Sequence, residues 1–177
     1  MILQPIIITG VRNTGKWTFA DAFGDKALEN RVSTIILPEE ELAYRALAMC
    51  GANKSTNTGS LKKQLTKISI QTGEIFNFFE QTIHTGIEAL SEDDYDRVCV
   101  LVLTEDPTKL EGSLNRIFTS TDLEVSPTLS ILIKRNKKSD PVLFAQYSKM
   151  AFDYRFDISE GVERTKEAGA AFFDMIK

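Results

Sequence analysis

A mostly parallel α/β sheet with helices on both faces is the architecture this sequence predicts, and three observations predict it. The run Ile6-Ile7-Ile8-Thr9 leads straight into Gly10-Val11-Arg12-Asn13-Thr14-Gly15-Lys16, as a buried strand does when it feeds a glycine loop and then a helix. The run Val98-Cys99-Val100-Leu101-Val102-Leu103 is continuously apolar, as a strand is when both of its faces are covered. Around these two runs, other short apolar stretches alternate with segments of helical periodicity, the pattern of strand and helix units in one sheet. The chain has 177 residues, 42% of them hydrophobic, enough for one substantial core, so a single domain over residues 1–177 is expected.

The elements follow in order. Gly15 to Phe23 reads as a short helix, punctuated by Gly24-Asp25. Arg31 to Leu37 is apolar and β-branched after its first residue and reads as a strand. Pro38 suits the first turn of a helix, and Glu39, Glu40 and Glu41 match the positive end of its dipole; Gly51 is its expected end. Residues 51–60 are small and polar and read as a loop, followed by a helical turn over 61–65 and a short alternating strand over 67–71. From Glu74 onward, Ile75, Phe78, Phe79, Ile83, Ile87 and Leu90 recur at helical spacing. Asp96-Arg97 opens the strand through Leu103, and Asp106-Pro107 supplies a cap and first-turn proline for a helix carrying Leu110, Leu114, Ile117 and Phe118. Thr128 to Ile133 is the next strand, Pro141 to Met150 the next helix, and Tyr154 to Asp157 a further short strand. Asp157 and Glu160 resemble a capping box for a last helix with Val162, Thr165, Gly169, Phe172 and Ile176 inward.

Composition narrows the function classes. The net charge of −4 argues against nucleic-acid binding through bulk charge, although Lys134, Arg135, Lys137 and Lys138 form a local basic cluster, read first as a solvated loop and second as a contact for nucleic acid or an acidic partner. No apolar run approaches the roughly 20 residues of a membrane span, and the first residues lack a signal-type pattern, so a cytoplasmic location is expected. Cys50 and Cys99 read as free thiols, and a single histidine, His84, offers no structural zinc site.

The glycine loop carries the chemistry. Gly10, Gly15 and Lys16 fit Gly-x-x-x-x-Gly-Lys-Ser/Thr, in which backbone N–H groups cradle phosphate, the lysine meets the outer phosphates and a helix N-terminus favours the anion. The hydroxyl that should meet Mg²⁺ is replaced by Trp17. Thr18 does not simply substitute, because one residue turns a helical side chain by about 100°. Any Mg²⁺ would then depend on phosphates and water. Trp17 reads first as an aromatic packed partly buried on the sheet, and second as an indole closing over the phosphate or forming an interaction surface. Arg12 either faces the phosphates or is solvated at the loop tip. Lys54-Ser55-Thr56 lacks the preceding glycine and strand of a second phosphate loop. Asn136-Lys137-Lys138-Ser139-Asp140 places its aspartate one residue too late for a guanine reader.

Together with the strand end at Lys67 to Thr72 and the stretch Asp94 to Leu110, the loop resembles the ParA/MinD-type P-loop ATPases, most closely their small plasmid-stability and conjugation members of StbB type. The resemblance implies a P-loop NTPase-like fold, ATP or another nucleotide as ligand, and a base contact from Asn136 after the Thr128 to Ile133 strand. It also exposes departures. Val11 stands in place of the signature lysine, Trp17 in place of the metal-binding hydroxyl, and Gln71 in place of the acidic residue that orders metal and water. Hydrolysis is therefore expected to be impaired. The expected nucleotide-binding set is Gly10, Arg12, Asn13, Thr14, Gly15, Lys16, Trp17, Thr18 and Asn136, with no catalytic residue and no metal ligand assigned. Glu105 and Asp106 stand as replacement carboxylates, but Asp106 is already explained as a helix cap.

The leading expectation is a degenerate ParA/MinD-like protein acting mainly through a protein partner, with a homodimer as one form, in plasmid or other mobile-element maintenance. A nucleotide-free scaffold is the second reading. A small nucleotide kinase is the third, ranked last because no arginine-rich lid follows the middle of the chain.

Overall fold

A computed structural model describes residues 1–39, 74–135, 141–158 and 161–177. Its elements are β1 (Ile2–Thr9), α1 (Lys16–Leu28), β2 (Val32–Pro38), α2 (Glu74–Glu88), β3 (Arg97–Thr104), a 3-10 turn (Pro107–Lys109), α3 (Glu111–Thr119), β4 (Glu124–Val125), β5 (Leu129–Lys134), α4 (Pro141–Ser148), β6 (Tyr154–Asp157) and α5 (Gly161–Ile176). Among the described residues six strands form one sheet in the order β2-β3-β1-β5-β6, with β4 pairing the start of β1. Every pairing among them is parallel. The carboxyl ends of β1, β2, β3 and β5 therefore meet along one edge, where open parallel sheets bind ligands.

Two apolar layers sandwich this sheet, as the doubly covered runs require. On one face Ile6, Ile8, Leu101, Leu103, Ile131 and Ile133 pack on Phe19, Phe23, Phe172 and Phe173 from α1 and α5. On the other, Leu3, Ile7, Leu37, Val98, Val100 and Val102 pack on Phe79 and Ile83 of α2 and on Leu114, Ile117 and Phe118 of α3. Phe172 has no exposed surface and sits in ring contact with Phe19, Phe23, Tyr154 and Phe156. Burying one such ring contributes about 1.5–3 kcal/mol relative to leaving it in water.

Pro5 lies inside the central strand, a place where a missing N–H ordinarily breaks the ladder. Here β4 pairs β1 only at Ile2 and Leu3, and β5 pairs it only from Ile6 onward. Pro5 falls in the gap between them. The carbonyl of Pro127, which passes through that gap, accepts a hydrogen bond from Gln4 Nε2 at 2.8 Å. A side chain thus replaces the ladder bond that proline cannot make.

Several boundaries differ from the sequence reading. Helix α1 runs through Gly24 to Leu28; a β-carbon at Gly24 would lie 2.9 Å from Thr34 Oγ1, so this glycine lets the helix approach β2 and does not end it. Pro38 closes β2 instead of opening a helix, and Glu39 follows it as helical. Asp106 caps the 3-10 turn, its Oδ1 accepting from Thr108 N at 3.2 Å and from Thr108 Oγ1 at 2.6 Å, before α3 begins. The short strand β4 was not expected. In α5, Thr165, Gly169 and Phe172 are buried as expected, whereas Val162 is exposed and Phe173 takes an inward place. The expected helix beyond Glu39 to Gly51, the 51–60 loop, the 61–65 turn, the 67–71 strand, Cys50, Asn136 and Glu160 lie outside the described residues.

Cys99 is 1% exposed, and burial pushes its thiol up from 9.0 to about 12. The unfolded thiol ionises above about pH 8.5 while the folded one keeps its proton, so unfolding releases a proton between these limits. Stability falls there as pH rises, by at most about 1.4 kcal/mol per pH unit from this group. In a Cys50→Ala background, Cys99 is expected to resist a thiol reagent at about pH 8 in the native state and to react fully in denaturant. Rapid native labelling would refute the assignment.

Candidate functional site: the glycine loop and the sheet edge around it

Strand β1 ends at Thr9, and the loop turns over its carboxyl end. Gly10 N–H donates to Thr104 O at 3.2 Å, tying the loop to β3. A β-carbon at Gly10 would lie 2.8 Å from Ile133 O and 2.6 Å from Thr14 Oγ1, so only glycine allows β5 and the loop to close on each other. Asn13 and Gly15 adopt left-handed backbone, with φ of 62° and 90°. Asparagine and glycine tolerate that region, and such alternating conformers turn successive N–H groups toward one concavity. Thr14 is buried and its hydroxyl donates to Val11 O at 3.0 Å, bracing the loop from inside.

Lys16 folds back across the loop. Its Nζ donates to Gly10 O at 2.8 Å and Val11 O at 3.0 Å, which holds the ammonium over the loop. Helix α1 starts at Lys16 with Gly15 as its N-cap, no side-chain cap and no acidic residue in its first turn. The first N–H groups of a helix need partners, and here no side chain of the cap supplies one. An anion is the group that such an end accepts, with the dipole and the lysine both favouring it.

The remaining loop residues take different places. Arg12 and Asn13 are exposed at the loop tip, and Thr18 is partly buried on a helix that begins where the motif puts it, so no shift brings Thr18 to the hydroxyl position. Trp17 is 49% exposed, which corrects the reading of an indole packed on the sheet. The position that would hold Mg²⁺ in the loop thus presents an indole, which has no metal-binding oxygen. The loop side chains do not fit a loop-held Mg²⁺.

The neighbouring strand ends add groups that the sequence reading assigned elsewhere. Glu39, read only as a complement to a helix dipole, follows β2 and accepts a hydrogen bond at its Oε2 from Thr104 Oγ1, 2.5 Å away at the end of β3. Thr104 Oγ1 in turn accepts from Asp106 N at 3.0 Å, which fixes the direction of its own proton toward the carboxylate. Asp106 itself is used as a cap and also accepts from Gln146 Nε2 at 3.3 Å, so it remains structural. Tyr147 OH donates to Glu105 O at 2.5 Å, anchoring α4 over the end of β3. Arg135, read as part of a solvated basic cluster, instead stands against the loop, its Nη2 3.8 Å from where a Gly15 β-carbon would be. Lys134 lies over the Phe144 ring, 4.9 Å from its centroid. The signal available in the sequence was position: both Glu39 and Arg135 directly follow strands that the topology sets close to the loop.

No protein-family model matches the chain, and no curated protein matches it by sequence. Solved structures do match in shape. The protein APE1195 superposes with a TM-score of 0.50 at 13% identity, over 97% of this chain and 95% of that one. A Cys556Ala mutant of the Mycobacterium tuberculosis APS kinase CysC gives a TM-score of 0.51 at 12% identity, over 98% of this chain and 96% of that one. A candidate kinase from Chloroflexus aurantiacus gives 0.50 at 10% identity, over 97% and 96%. At such identity the likeness concerns the fold and gives no separate support to the ParA/MinD-type group. The chain shares a mostly parallel α/β fold with these structures.

Proposed function

We propose that the protein is a P-loop phosphotransferase that seats the phosphate chain of a nucleoside triphosphate on Gly10 to Lys16 and passes the terminal phosphoryl group to a small acceptor. The observation that carries this reading is the uncapped N-terminus of α1 beneath the Lys16 ammonium, framed by the left-handed Asn13 and Gly15. It is a site built for a polyanion. Glu39, oriented by Thr104, supplies a carboxylate at the same sheet edge. In the transfer, an acceptor oxygen bonds to the terminal phosphorus, the bond from that phosphorus to the bridging oxygen breaks, the acceptor proton goes to Glu39, and the nucleoside diphosphate leaves.

The kinase-type shape neighbours favour this reading over a ParA/MinD-like, partner-driven role. The partner-driven role retains one observation in its favour, the half-exposed Trp17 beside the loop. Titration calorimetry with ATP, ADP, GTP and GDP, with and without Mg²⁺, tests binding directly. Heat is expected with at least one nucleotide, and Lys16→Ala is expected to weaken it about 30-fold, the loss of one charge-assisted contact. Absence of heat with every nucleotide would remove the proposal. Mass spectrometry of an acceptor panel incubated with MgATP then separates a kinase from a binding protein: a phosphorylated acceptor supports transfer, and binding without any product favours the partner-driven role.

A further inference from the structure

Arg135 is in an unusual position for a surface arginine. It is partly buried, its Nε is wholly buried, and that Nε has no hydrogen-bond partner among the described residues. The ion pairs among those residues, Lys26 with Glu29, Arg31 with Asp96, Arg164 with Glu167 and Lys166 with Glu163, leave it out. At Gly15, the N-cap of α1, its Nη2 lies 3.8 Å from where a β-carbon would be, and the Thr165 methyl carbon lies 3.1 Å from the same point. The backbone leading to it is fixed, since Ile133 O abuts Gly10 and Lys134 O accepts from Ile158 N at 2.9 Å. A guanidinium has thus been brought to the positive end of a helix whose first residue is Lys16. Like charges repel there, and a buried donor without a partner costs further free energy. An anion seated at that helix end compensates the Arg135 guanidinium.

We infer that Arg135 is a phosphate-binding residue of this site, its guanidinium donating to the phosphate chain of a nucleoside di- or triphosphate seated on the α1 N-terminus. This deepens the proposed function and rests on it. Arginine suits the task because its planar fork pairs with phosphate oxygens through two donors at once. It also supplies positive charge beside a loop in which Trp17 stands at the metal-binding hydroxyl position. The consequence is a nucleotide affinity that depends little on Mg²⁺ and strongly on Arg135.

The test measures ATP and ADP affinity by calorimetry, in Mg²⁺ and in EDTA, for the wild type, Arg135→Ala, Arg135→Lys and Lys16→Ala, with the melting temperature of each protein without nucleotide. Arg135→Ala is expected to weaken both nucleotides about tenfold or more in either buffer, and Arg135→Lys to recover only part of that loss. Its melting temperature without nucleotide is expected to stay level or rise, because an uncompensated cation has been removed. A purely structural arginine would do the opposite, lowering the melting temperature and leaving affinity unchanged, and that result would overturn the inference. Arg135→Ala binding as tightly as wild type while Lys16→Ala is weakened would also overturn it and leave the proposed function standing. Absence of nucleotide binding by the wild type would remove both.

Discussion

Gly169→Ala is expected to destabilise the fold by about 3 kcal/mol or more, although alanine is the better helix former by about 1 kcal/mol. A β-carbon at Gly169 would lie 2.2 Å from Phe19 O and 3.1 Å from Phe19 C, so it meets main chain and not a side chain that can swing aside. Helices α1 and α5 would have to part along the interface where Phe19, Phe23, Phe172 and Phe173 are buried. Overpacking ordinarily costs about 1–3 kcal/mol, and a backbone clash beside these buried rings belongs at or above the upper end. Gly112→Ala provides the control. Its β-carbon would meet nothing within 4 Å, so the same exchange in α3 is expected to gain about 0.5–1 kcal/mol. Urea unfolding of both variants reads the difference directly, and equal effects would show that the α1–α5 contact is looser than described. The effect should reach the glycine loop as well, because Thr165 of α5 packs on Gly15 at the start of α1.

What could be read in the sequence followed from period and composition. The doubly buried strand at Val98 to Leu103, the helical stripe through Phe79 and Ile83, the cap at Asp106 and the strand at Tyr154 to Asp157 all declare themselves locally, and the structure carries them. Glycine was misread where its role is set by a distant partner. Gly24 looked like punctuation because nothing in the sequence places Thr34 against it. Pro38 was assigned to a helix start for a similar reason, since strand pairing with Leu103 decides its place. The loop itself was legible, because the motif fixes its own backbone. The groups around it were not. Glu39 and Arg135 reach the site only through the strand order β2-β3-β1-β5, which local patterning does not encode. Trp17 shows the limit in the other direction: an aromatic on the first turn of a helix reads first as packed partly buried on the sheet, yet the loop it follows faces the carboxyl edge of the sheet and leaves the indole half exposed.

Glu39→Gln is expected to reduce phosphoryl transfer by about 10²–10⁴-fold while nucleotide affinity stays within about threefold. The prediction rests on the direction of two hydrogen bonds. Asp106 N–H occupies a lone pair of Thr104 Oγ1, so the Thr104 proton is turned toward Glu39, and the carboxylate receives it as an acceptor. A glutamine of the same shape still accepts that bond through its amide oxygen, so the sheet edge should keep its geometry and the variant should melt close to wild type. What it loses is the capacity to take a proton from an acceptor hydroxyl. The loop, Lys16 and the uncapped end of α1 are untouched, which is why binding should persist. Measured against the acceptor found in the screen, a fall in turnover with unchanged nucleotide affinity assigns Glu39 to the transfer step. Turnover within threefold of wild type would remove Glu39 from the reaction and leave the edge carboxylate as a structural partner of Thr104. A parallel fall in affinity and turnover would place it among the groups that hold the glycine loop in shape.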